Sequence, residues 1–161
     1  MKKTILILLS LLFVCTTYAS SSLPQEEQIP VGFWKTIDDV TGQPKAIVQV
    51  FKISNQSLFG RVLKIYPRKG LDPNPLCVAC DGTRHNQRVI GMIILENFRQ
   101  NKDHLAEWGG GKILDPKNGK IYRSNMRLTD GGKKLNVRGY VGLPLFGRSQ
   151  TWERTENPSK A

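Results

Sequence analysis

The sequence predicts an all-β protein, a single up-and-down antiparallel barrel of about eight strands. Three observations carry this reading. Short apolar or alternating runs recur along the chain, separated by turns built from Gly, Pro, Asn and Asp. Fifteen Gly and nine Pro among 161 residues suit many turns better than long helices. Hydrophobic residues make up 39% of the chain, enough to pack one core.

The elements follow in order. Gly32 to Ile37 is the first strand-like run, ended by the turn residues Asp38 to Pro44. Ala46 to Ser54 and Leu58 to Tyr66 flank a short turn at Asn55-Gln56. A proline-rich excursion from Pro67 to about Asn86 carries Cys77 and Cys80. Val89 to Leu95 is apolar on both parities, which predicts burial on both faces, or a short helix over Val89–Arg99. Leu105 to Trp108 and Lys112 to Leu114 flank Gly109-Gly110-Gly111, where a bend or bulge is expected. After the turn Asp115 to Gly119, Ile121 to Leu128 alternates, with Tyr122, Ser124, Met126 and Leu128 on one face. Asp130-Gly131-Gly132 turns into Leu135 to Val141, and Arg148 to Arg154 is the last strand. Adjacent pairing of successive strands and closure of the sheet favour a barrel over a two-sheet sandwich.

Residues 1–19 read as a secretory signal peptide: basic Lys2-Lys3, an apolar stretch from Ile5 to Val14, and small residues before Ser20. The alternatives are an uncleaved anchor and a lipoprotein acylated at Cys15. The apolar stretch is about half the roughly 20 residues of a spanning helix, and bulky Phe13-Val14 do not suit acylation. Residues 20–30 form a polar leader, 31–155 the barrel domain, and 156–161 a disordered tail. The charge of the whole chain is 24 − 13 = +11, and loss of Lys2 and Lys3 leaves 22 − 13 = +9. Export makes nucleic acid an unexpected partner. Phosphorylated envelope lipids and other polyanions suit a basic exported protein better, beside the plain alternative of a solvated surface.

Cys77-x-x-Cys80 has three readings: a structural disulfide, a redox pair, or a metal site with His85 and His104. A turn signal with an anionic neighbour, Asp81-Gly82, follows the second cysteine, and an exported chain favours the disulfide. Gly142 to Ser149 nearly spells a phosphate-binding loop, yet a strand follows where a helix is needed, so it reads as a turn. No nucleophile motif or metal-binding helix signature occurs, and neither a metal nor a cofactor is expected. Nothing in the sequence argues for an enzyme.

The aromatics Trp34, Trp108, Tyr122, Tyr140 and Trp152 are either core plugs or ligand contacts. Arg123, Arg127 and Arg138 alternate with apolar residues. They lie outside the barrel if the apolar face is inward, or pair with an acidic head group if some reach the mouth. A speculative ligand set is therefore Trp34, Trp108, Tyr122, Met126, Arg127, Arg138, Tyr140 and Trp152.

Gly32-Phe33-Trp34 sits where lipocalins carry a Gly-x-Trp signature, and a late arginine, Arg148 or Arg154, is available to pack across that tryptophan. The longer pattern runs through Asp72-Pro73-Asn74-Pro75, Cys77-Val78-Ala79-Cys80-Asp81-Gly82 and Gly91-Met92. It continues with Trp108-Gly109-Gly110-Gly111, Asp115 to Tyr122, Leu135 to Gly142, and Gly147 to Trp152. Over residues 30–155 this resembles a family of small secreted bacterial proteins of unknown function with a lipocalin-like barrel. The resemblance implies the fold and export, and offers no catalytic residue. The expected function is an exported non-enzymatic binding protein carrying a small amphiphile or acidic lipid. The competing readings are an envelope adaptor using Leu143-Pro144-Leu145-Phe146, and a periplasmic enzyme or thiol-redox protein using Cys77 and Cys80.

Overall fold

The structure, a computed structural model, describes residues 29–160. Residues 1–28, which include the expected signal peptide, Cys15 and most of the expected polar leader, lie outside the described residues. The strands are β1 (Gly32–Ile37), β2 (Pro44–Lys52), β3 (Leu58–Ile65), β4 (Ile93–Gln100), β5 (Glu107–Asp115), β6 (Lys120–Thr129), β7 (Lys134–Tyr140) and β8 (Gly147–Thr155). Each pairs antiparallel with the next, and β8 returns to β1 through Phe33↔Thr155, Trp34↔Arg154 and Lys35↔Glu153. The sheet is a closed eight-stranded barrel.

Directly opposed residues share a face, so register identifies the interior. Trp34 opposes Val48, which opposes Val62; Trp108 opposes Met126, which opposes Val137; Leu128 opposes Leu135, which opposes Trp152. All of them are buried. Burying each such Val, Leu or Met contributes about 1.5–3 kcal/mol before chain entropy is charged against it.

Large side chains in the interior are seated against glycines. A Cβ on Gly60 would lie 2.8 Å from Leu95 Cδ1, and one on Gly111 would lie 2.5 Å from the Phe98 ring. Leu95 and Phe98 are both fully buried. This small-against-large matching is how a barrel of this size fills itself. The expected irregularity in the Gly109–Gly111 stretch is a bulge: between Trp108↔Met126 and Gly111↔Ser124 the register shifts, with Gly110 at φ +69°.

One element differs from expectation. Val89–Arg99 is not a helix; Ile93–Gln100 is strand, paired on both sides. Its mixed parity has two causes. Asn97 takes φ +61°, and the pairing to β3 shifts register twice, so Leu95 and Phe98 are both buried although three apart. Ile94, on the opposite parity to Leu95, is also buried.

The end of the barrel where β1 begins and β8 ends is sealed by Arg154. Its guanidinium stacks 4.4 Å from the Trp34 ring and donates to the carbonyls of Gly132, Val31 and Ile29. Trp34 Nε1 donates to Pro30 O at 2.7 Å. Gly32 has φ +135°, and a Cβ there would come within 2.8 Å of Arg154 Nη1. The glycine, the tryptophan and the late arginine are thus one packed unit. Ile29 and Pro30, expected in the leader, belong to this seal. Arg148 is not the stacking arginine; it lies at the other end of β8. The tail, expected to be disordered, forms a 3₁₀ turn at Pro158–Lys160.

Cys77 and Cys80 are joined in a disulfide with Cα atoms 5.4 Å apart. It closes a tight turn in the β3–β4 excursion, where Cys77 N donates to Gln87 O and Asn86 N to Cys77 O. The excursion lies on the β5–β6 turn. Gly119, at φ +72°, faces the Ala79 carbonyl so closely that a Cβ would overlap it at 1.8 Å. Only glycine fits both the backbone angle and the contact.

Candidate functional site at the barrel mouth

Loops β1–β2, β3–β4, β5–β6 and β7–β8 rim the end opposite the Arg154 seal. Small residues and half-exposed ones stand on the inner face just below this rim. Register puts Thr36 opposite Ala46, Ala46 opposite Ile65, and Ile113 opposite Tyr122. Gly139 lies beside them: a Cβ there would meet Ile113 Cγ2 at 3.2 Å and Tyr122 Cβ at 3.6 Å. Ala46, Ile65, Ile113, Tyr122, Gly139 and Gln150 are all half-buried, in contrast to the sealed residues below. The barrel is therefore packed in its lower part, and these half-buried inner-face residues form a partly open upper ring, here called the cup.

Polar groups border the cup on the β8 side. Gln150 opposes buried Val137 and shares the inner face with Trp152, whose Nε1 donates to Gln150 Oε1 at 3.4 Å. Arg148 opposes Gly139 on the same parity and is well exposed. From the β1–β2 loop, Asp39 Oδ2 accepts from Gln150 Nε2 at 3.0 Å and from Arg148 Nη2 in an ion pair. A carboxylate of the chain itself thus sits at the mouth on an arginine and a glutamine.

Asp38 anchors the loop that presents it. Its carboxylate accepts from Arg68 Nη1 at 2.9 Å, from the Thr41 amide and hydroxyl, and from the Val40 amide. The Arg68 hydrogen bond, reinforced by those from Thr41, holds the Asp38 carboxyl well below the usual carboxylate range. Across the β1–β8 seam on the outer face, Lys35 pairs with Glu153 at 2.7 Å, which raises the lysine above its ordinary value.

The predicted ligand set is divided by the fold. Trp34, Trp108, Met126 and Trp152 are core residues in the packed interior. Tyr122 stands at the cup, its hydroxyl accepting from Asn118 Nδ2 at 3.2 Å. Tyr140 opposes Arg123 and Gly147, on the parity opposite to inward Gly139. Arg127 points outward between buried Met126 and Leu128, 3.7 Å from Glu107. Arg138, also on the outer face, donates to Pro144 O, Leu145 O and Ser149 Oγ. Neither arginine guards the mouth, because strand parity turns both away from the apolar interior. Among the described residues, the arginine on inner-face parity at the mouth is Arg148. Gln150 was legible as an inner residue, two positions before Trp152 on an alternating strand. Asp39 had no local signal, since its partners lie 109 and 111 residues away.

Two depressions open to solvent lie among the β1–β2 and β3–β4 connections. One, of about 660 Å³, is lined by residues that include Leu76, Arg84, Arg88 and Met92. The other, of about 480 Å³, lies between Thr41–Pro44 and Tyr66–Lys69.

No curated protein matches the chain. Among solved structures, Protein HP1028 from the human pathogen Helicobacter pylori, described as belonging to the lipocalin family, aligns with a TM-score of 0.65 at 17% identity. The alignment covers 80% of this chain and 84% of that one, and at this identity it shows the fold alone. Residues 32–154 match the family described as "Uncharacterized protein conserved in bacteria (DUF2147)". That match runs from the first strand to the last, and the chain belongs to this bacterial family, built on a lipocalin-like barrel.

Proposed function

We propose that the chain is an exported, non-enzymatic binding protein that holds the acidic head of a small amphiphile at its barrel mouth. The observation that carries this reading is Asp39 on Arg148 and Gln150. A site that accepts the chain's own carboxylate accepts a ligand carboxylate by the same hydrogen bonds. The ligand's tail then lies in the cup between Ala46, Ile113, Tyr122 and Gly139.

Packing limits that tail. Trp34, Leu95, Phe98 and Trp152 fill the space a long chain would need, so the ligand is short. About four buried methylenes contribute about 3 kcal/mol, part of which is lost to ordering, which makes the affinity modest. The disulfide suits an oxidising compartment and supports export.

Displacement of a short-chain fluorescent carboxylic acid by a series of unlabelled short carboxylic acids and the matching alcohols tests the reading. Acids compete better than alcohols, Asp39→Asn tightens binding by removing the internal competitor, and Arg148→Gln weakens it. Failure of every chain length to displace, or equal potency of acid and alcohol, refutes the reading. Export is tested separately by the intact mass of protein from the envelope fraction. Mature chain beginning at Ser20 is expected, and recovery of material starting at Met1 refutes it.

A further inference from the structure

Among the described residues, every strongly exposed large apolar side chain except Leu105 lies at the mouth end: Val40, Leu71, Leu76, Val78, Ile121 and the β7–β8 loop. That loop is the densest part of the set. Val141, Leu143, Leu145 and Phe146 are 65–78% exposed within six residues. They are not a collapsed coil. The Arg138 guanidinium ties down the Pro144 and Leu145 carbonyls, fixing a 3₁₀ turn at Pro144–Phe146 whose side chains remain outside.

The charges around the loop have one prevailing sign. No acidic residue occurs between Tyr140 and Arg148. The neighbouring β5–β6 turn and the start of β6 supply Lys117, Lys120 and Arg123, and no salt bridge among the described residues involves them. The acids of the neighbouring β1–β2 loop, Asp38 and Asp39, are paired with Arg68 and Arg148, and Asp115, the one acid of the β5–β6 turn among the described residues, opposes Lys120 and accepts from the Lys117 amide. Apolar tips surrounded by cations fit the boundary between acyl chains and anionic head groups.

We propose that the mouth end docks on an anionic lipid bilayer, with Leu143, Leu145 and Phe146 entering the interface and Lys117, Lys120 and Arg123 meeting the head groups. The proposal rests on the outside of the β7–β8 loop and is independent of ligand uptake in the cup. It also gives the two ends of the barrel different roles, the sealed end facing water and the mouth facing lipid.

Co-sedimentation of the mature protein with vesicles tests it, using phosphatidylcholine alone and phosphatidylcholine mixed with phosphatidylglycerol. The protein is expected to partition onto the mixed vesicles and to be released by salt. The double substitution Leu145→Asp, Phe146→Asp should reduce partitioning about tenfold or more. Leu105→Asp at the opposite end should leave it unchanged. Because all three positions are exposed, each variant should unfold at the wild-type urea midpoint. In Leu145→Trp, a blue shift of the added fluorescence on mixed vesicles should report entry into the interface. Absence of wild-type binding, equal binding to both vesicle types, or undiminished binding of the double variant overturns the proposal. Concentration-dependent dimerisation without vesicle binding, lost in the double variant, also overturns it and assigns the patch to a second copy of the chain.

Discussion

The packing of Phe98 on Gly111 decides how much of the barrel is available to a ligand, and Gly111→Ala tests it directly. The new Cβ would lie 2.5 Å from three atoms of the Phe98 ring, about 1 Å inside normal carbon contact. Phe98 is fully buried, so the ring has little room to retreat. Overpacking of this kind costs about 1–3 kcal/mol. With a urea slope of about 2 kcal/mol per molar for a domain of this size, a loss of about 2 kcal/mol lowers the midpoint by about 1 M. Trp34, Trp108 and Trp152 are all buried, so intrinsic fluorescence reports the transition. Phe98→Leu alone is also destabilising, because it removes ring contacts. In the double variant the smaller side chain gives the new methyl space, and the combined loss should fall short of the sum by about 1 kcal/mol or more. Additive losses would refute the contact. A midpoint unchanged in Gly111→Ala would show that the barrel interior is looser than a packed core, and would reopen it to long-chain ligands.

Three further outcomes follow from the same contacts. Gly119→Ala should lower the urea midpoint by more than Gly111→Ala, because the obstacle is the Ala79 backbone carbonyl and the residue sits at φ +72°; an unchanged midpoint would contradict the placement of the excursion. Reduction of Cys77–Cys80 should cost about 2 kcal/mol or less, as expected for so small a ring, measured as the shift in thermal midpoint with and without reductant. The Asp38–Arg68 tie has a defined pH sense. Its folded carboxyl lies below the unfolded value of about 3.9, so its stabilisation is complete above that pH and is lost as pH falls through the folded value. Carboxyl-carbon NMR should find Asp38 still ionised at pH 3, and titration near pH 4 would contradict the geometry.

Strand positions were legible because parity is local: a residue and its second neighbour share a face whatever lies across the sheet. Tyr122, Ser124, Met126 and Leu128 were therefore assigned to one face from β6 alone, and register puts Ser124, Met126 and Leu128 opposite inward residues of β7. Parity failed at β4, where a positive φ at Asn97 and the shifts toward β3 break the alternation. Arg148 and Arg154 are six residues apart on one face of β8, so local pattern treats them alike. Only the Trp34↔Arg154 register gives one the tryptophan and leaves the other at the mouth. The Asp39 contact exists because the β1–β8 seam brings together residues more than a hundred positions apart. Whether the barrel is hollow was likewise settled only in three dimensions. A glycine in a strand reads as a gap, and it becomes a seat for Leu95 or Phe98 only once the neighbouring strand is in register beside it.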